Sequence, residues 1–304
     1  MKTYLDCYPC FLRQALEAAR MTGATEAQQA TVIHEVLELL QTADPEATPP
    51  ETGDRVHRLV RRLVCAEGND NGADPYADVK ATATEQALAL YPRLATLITE
   101  APDPLEWAVR VAIAGNVIDF GPGAHYDLEG SLAEILHQPF AIDDMETFRG
   151  ILARGGPILY LADNAGETVF DRVLIEALNH QEGAKHPSRI TYAVKGGPTL
   201  NDATLDDAKA AGLDRVANLV TTGVDAPGTI LARSSRAFRE LYNQADVIIA
   251  KGQANYETLS PGDPRLFFLL KAKCPVIARD LGVPQGAIVI KRGGFDLSLE
   301  EAQC

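Results

Sequence analysis

Six short apolar runs, set between segments of helical character, limit most strongly how this chain can fold. They read PILYLA (157–162), RITYAV (189–194), VANLVTT (216–222), ADVIIA (245–250), PVIA (275–278) and AIVIK (287–291). The stretches TVFDRVLIEALNH (168–180), TLDDAKAAG (204–212), SRAFRELYNQ (235–244) and PRLFFLLKA (264–272) fit helices. Strand–helix alternation at this spacing predicts an α/β fold, a mostly parallel sheet with helices on both faces. Ligands of such sheets sit just beyond the carboxyl ends of the strands. The residues that follow each run therefore decide what chemistry is possible.

The first 110 residues have a different texture. Apolar residues recur at spacings of three and four in 11–21, 30–42, 55–65 and 83–99, which predicts an N-terminal helical domain. The loop 43–54 is rich in proline and acid and reads as an exposed linker. The segment 104–121 starts as a helix and runs into Asn116 and Asp119. We therefore expect a helical domain over 1–121, a connection over 122–150 and an α/β domain over 151–304.

The net charge is −14 and the pI about 4.9, which disfavours nucleic acid and anionic membrane as main partners. No window is long and apolar enough to span a bilayer, and no leader-like segment follows Met1. Five cysteines suggest no disulfide framework, so a cytoplasmic location is the plain expectation. Oligomeric state is not readable from this pattern.

Three run ends carry unusual polar groups. Asp163-Asn164-Ala-Gly166-Glu167 follows the first run. Lys195-Gly-Gly-Pro-Thr199-Leu-Asn201-Asp202 follows the second. Lys251-Gly252-Gln253-Ala-Asn255-Tyr256-Glu257 follows the run 245–250. In parallel strands these loops share one edge. Carboxylates and amides suit Mg or Mn, which take oxygen ligands. Lysines with nearby backbone N–H groups suit a phosphate. Each piece also has a plainer reading. Asp-Asn-Ala-Gly is a good turn sequence, Lys251-Gly252 fits a turn, and Asn201-Asp202 fits a helix cap in competition with Thr204. Asn116 and Asp119 share a helical face, as a pocket lining or as a helix end closed by Gly121. The Cys7-Tyr-Pro-Cys10 pair lacks the second pair of a structural zinc site; it reads as buried thiols at a helix start, or as a metal or redox pair.

Taken together, CYPC, DPYADVK (74–80), GNVIDFG (115–121), DNAGE, KGGPTLNDATLDDA and AKGQANYE resemble, in that order, the damage-control phosphatases of the domain-of-unknown-function 89 group, the ARMT-like metal-dependent phosphatases, in their short Cys-bearing branch. The resemblance spans nearly the whole chain. It implies a Rossmann-like, three-layer core and hydrolysis of small phosphorylated metabolites with a divalent cation (Mn, Co, Ni or Mg). It places the metal ligands on Asp163, Asn164 and Asp202. It places the phosphate-binding lysine on Lys251 with Asn255 close by, and the polar pocket helix on Asn116 and Asp119. Asn201 falls among the substrate contacts, and Glu167 or Asp119 is expected to orient a water. Asp163 is expected to be catalytic, as a ligand or as a nucleophile forming an aspartyl-phosphate. The rival readings are a non-catalytic nucleotide or phosphometabolite binding protein and, more remotely, a methyltransferase.

Overall fold

The computed structural model describes residues 1–65, 74, 76–116, 128–181, 189–260 and 262–294, with backbone alone at 65, 128, 129, 131–133 and 181. Its centre is a seven-stranded sheet: β1 (Phe140–Asp143), β2 (Ile158–Leu161), β3 (Ile190–Val194), β4 (Asn218–Thr221), β5 (Val247–Lys251), β6 (Leu266–Lys271) and β7 (Ile288–Arg292). The spatial order is β1-β7-β6-β5-β2-β3-β4. Strands β6 and β7 pair antiparallel, and every other neighbouring pair is parallel.

Period-two alternation explains the three layers. Ile158, Tyr160, Val247 and Ile249 belong to one core, whereas Leu159, Leu161, Ile248 and Ala250 belong to another. The first core is closed by α4 (Ala77–Thr99), α5 (Pro104–Gly115), α6 (Leu128–His137), α7 (Met145–Leu152) and α8 (Thr168–Gln181), with α9 (Leu205–Ala210) at its edge. The second is closed by α10 (Arg236–Gln244), α11 (Gly252–Leu259) and α12 (Pro275–Leu281). Helices α1 (Cys7–Met21), α2 (Glu26–Gln41) and α3 (Pro49–Cys65) pack a separate core around Phe11, Val36 and Leu59. Among the described residues no helix is long and apolar enough to cross a membrane.

Four expectations are corrected. The run 264–272, expected as a helix, forms strand β6. A strand buried on both faces loses its polar alternation and reads as a plain apolar run. The run 275–278, expected as a strand, opens α12. Pro275 sits in its first turn, and Cys274 Sγ accepts from the Ile277 N–H at 3.4 Å, so capping prevails over β-branched composition. The connection 122–150 contains β1 and α7. The loop 43–54, expected to be exposed, ends in the first turns of α3, where Thr52 and Asp54 are buried. There the Thr48 backbone N–H donates to the Glu51 carboxylate at 2.9 Å, half of a capping box. Asp54 carries Arg58 and Arg233, and Arg61 donates to the Pro198 carbonyl at 2.7 Å, which ties α3 to the sheet edge.

Candidate active site

From β2 the chain steps to β3 and β4 on one side, then restarts on the other side with β5 and β6. The crevice between β2 and β5 is thus the switch point where open sheets bind ligands. The register sets Leu161 level with both Ala193 and Ala250, so the loops after β2, β3 and β5 leave the sheet together. An antiparallel bridge joins Asn164 to Asp202. Ala203 N–H donates to the Asp163 carbonyl at 2.8 Å, and Ala165 N–H to that of Asn201 at 2.9 Å. The loops after β2 and β3 are therefore one hydrogen-bonded unit. From the other side comes Gly252, with φ of +75°. A Cβ at that position would lie 1.8 Å from Asp163 Oδ2, so only glycine lets α11 start against the carboxylate.

The side chains form a continuous network. Asn116 Nδ2 donates to Asp163 Oδ2 at 2.8 Å and to Glu167 Oε1 at 2.6 Å. Asn164 Nδ2 donates to the same Glu167 oxygen at 2.6 Å. Lys251 Nζ donates to Glu167 Oε2 at 3.2 Å and to Asp171 Oδ1 at 2.6 Å. Lys195 Nζ donates to the Gly228 carbonyl at 2.6 Å and stands 3.4 Å from Asp202 Oδ2. Two buried oxygens, Asn116 Oδ1 and Asp202 Oδ2, have no hydrogen bond. For Asp202 the lysine is close enough for attraction but does not meet hydrogen-bond geometry.

Burial, then repulsion from Glu167 and Asp202, pushes the Asp163 carboxyl well above the ordinary range. Burial pushes Asp202 up to about 6, against the pull of Lys195. Burial alone would lower Lys251, but Asp171 and Glu167 more than reverse this and keep it charged. Formally, the buried carboxylates of Asp163, Glu167, Asp171 and Asp202 outnumber the ammoniums of Lys195 and Lys251 by two charges. Among the described residues no trio of His, Cys, Asp or Glu is arranged to hold a metal. The donors gathered here are instead two carboxylates and two amides, a set suited to a hard cation. Unpaired oxygens and a deficit of two positive charges fit one divalent ion.

A cavity of about 590 Å³ opens over this floor. Asn116, Asp163, Asn164, Asn201 and Asp202 line its base, while Cys10, Arg13 and Gln14 of α1, Gly53 and His57 of α3, Glu257 of α11 and Lys273 after β6 line its walls. Burial pushes Glu257 up to about 8 and draws His57 down to about 4. Cys7 and Cys274 also face the cavity, and burial raises both thiols. Lys251 lies beneath the floor rather than in the wall, wholly buried between two carboxylates. Asn255 is also buried; it donates to the Ala162 and Lys251 carbonyls and accepts from Thr229. Neither lines the cavity, and Asp119 lies outside the described residues. The sequence reading missed Asp171, one turn after Glu167 on α8, and Lys273, two residues beyond a strand that read as a helix.

Fold and site define a three-layer α/β enzyme with an acidic, cation-accepting crevice at its switch point. A family model, the damage-control phosphatase ARMT1-like domain, matches residues 3–289. A damage-control phosphatase of Pyrococcus horikoshii is 38% identical over 301 residues, covering 98% of this chain and all of the relative. One of Archaeoglobus fulgidus is 34% identical over 300 residues, covering 96% and 99%. The crystal structure of a DUF89 family protein from P. horikoshii superposes with a TM-score of 0.85 at 36% identity, over 97% of this chain and all of that one. The chain belongs to the ARMT1-like damage-control phosphatase family, and phosphatase chemistry is the function that this membership assigns to it.

Proposed function

We propose that this chain hydrolyses phosphate monoesters of small metabolites with one divalent cation seated on Asp163, Asn164 and Asp202, and with Asn116 as a further oxygen donor. The supporting observation is the pair of unpartnered buried oxygens, Asn116 Oδ1 and Asp202 Oδ2, beside a carboxylate that burial and its neighbours hold above its usual range. A bound divalent cation supplies Lewis-acid polarisation and charge neutralisation at the phosphoryl group. The chain's own residues supply the rest. The bonded loops after β2 and β3 fix the phosphoryl group over the floor. Lys273 lies near enough to draw down the Asp163 carboxyl, and it is the wall cation we assign to the phosphoryl oxygens. Asn201 and the α1 and α3 wall take the remainder of the substrate, within a volume typical of small-metabolite pockets.

The test is release of phosphate from an aryl phosphate with Mn²⁺, Co²⁺, Ni²⁺ or Mg²⁺, and with chelator. Cation-dependent turnover is expected. Turnover that chelation leaves unchanged, or none with any of the four ions, overturns the reading.

A further inference from the structure

Asp171 is wholly buried, and hydrolysis as described gives it no task. It accepts the hydroxyls of Tyr160 on β2 and Tyr192 on β3, each at 2.7 Å, and Lys251 at 2.6 Å. Lys251 gives its other bond to Glu167, whose second oxygen accepts the side-chain NH₂ groups of Asn116 and Asn164. A carboxylate only accepts, so both amides must turn nitrogen toward Glu167 and oxygen away from it. The buried, unpartnered Asn116 Oδ1 follows from that orientation. Two tyrosines from the sheet keep Asp171 from swinging. Without its charge, Lys251 would pair with Glu167 alone and draw it from the amides.

We propose that Asp171 is a positioning residue for the cation seat: through Lys251 it fixes Glu167, and through Glu167 it fixes which end of Asn116 and Asn164 faces the ligand. This rests on the cation-dependent hydrolysis proposed above. The test uses Asp171→Asn, which keeps the shape and removes the charge, with one tyrosine hydroxyl now accepting from the new NH₂ instead of donating, and Mn²⁺ binding to the full chain is measured by calorimetry. Affinity should fall about 10–100-fold, the usual effect of losing an outer partner of a metal ligand. The paramagnetic resonance spectrum of the bound Mn²⁺ should change, and kcat should fall more than KM rises. Glu176→Gln on the same helix, which removes the carboxylate charge facing Tyr91 and Arg172, should leave Mn²⁺ affinity unchanged even where it lowers Tm. If Asp171→Asn does not fold, the double variant Tyr160→Phe with Tyr192→Phe keeps every charge and should still weaken Mn²⁺ binding. Wild-type affinity in the folded Asp171→Asn, or in the double variant that replaces it, overturns the positioning role. A wild-type chain that binds no Mn²⁺ overturns the hydrolysis reading instead.

Discussion

Lys195 follows β3 and Lys251 ends β5; each precedes a glycine and each is buried. Their surroundings differ. Lys251 is bonded to two carboxylates, Asp171 at 2.6 Å and Glu167 at 3.2 Å. Lys195 gives its short bond to a neutral carbonyl and approaches one carboxylate, Asp202, at 3.4 Å. On the Lys251 side both carboxylates are fully engaged in hydrogen bonds, from Lys251, the two tyrosines and the two amides. On the Lys195 side the Asp202 Oδ2 has no hydrogen bond. Identical Lys-Gly pairs thus take different work according to the carboxylates that face them.

The largest expected effect comes from the shared element of the two sides. Asp163→Ala should lower kcat/KM for an aryl phosphate by at least about 1000-fold, equivalent to about 4 kcal/mol of transition-state stabilisation. Steady-state kinetics at saturating Mn²⁺ checks this. Next, Lys251→Met leaves two buried carboxylates unpaired and should destabilise by about 3–5 kcal/mol. In denaturant unfolding, added Mn²⁺ should not bring its stability back to that of equally loaded wild type. Lys195→Met should destabilise by about 1–3 kcal/mol, the usual penalty of a buried group without its partner. Here saturating Mn²⁺ should narrow the gap, because a cation at Asp202 replaces the lost charge. Equal behaviour of the two lysine variants toward Mn²⁺ would break the comparison. Smallest is Lys273→Ala. This lysine is exposed, and exposed pairs are worth about 0.2–1 kcal/mol. A rise of a few-fold in KM with kcat and Tm kept is expected; a collapse of kcat would mean a closer role than the one assigned.

The sheet and its polar edge were legible because three strand ends break from apolar runs straight into Asp163-Asn164, Lys195-Gly and Lys251-Gly. Strand β6 and helix α12 were exchanged because period alone does not separate LFFLLK from a buried helix, while the cap at Cys274-Pro275 carried the missing information. Strand β1 was not anticipated; it is four residues long at the sheet edge. Within the site, the type of residue was readable and its depth was not. Lys251 and Asn255 lie where a substrate contact was expected along the chain, yet both face inward, which only the packing of β5 and α11 against Ala162, Thr229 and Asp171 determines. Asp171 left one trace, a lone acid among the apolar residues at the start of α8.

The cavity's base and its walls come from different parts of the chain. The base is built by the loops after β2 and β3 with Asn116, whereas most of the wall descends from the first two turns of α1 and the start of α3. Helix α3 holds to the sheet edge through Arg58 with Asp225, Arg61 with the Pro198 carbonyl and the buried Asp54 with Arg233. The exposed wall positions Pro9 and Arg13 carry none of these links, so they can drift without disturbing the floor, and one floor can be refitted to new substrates by changes in its cover alone.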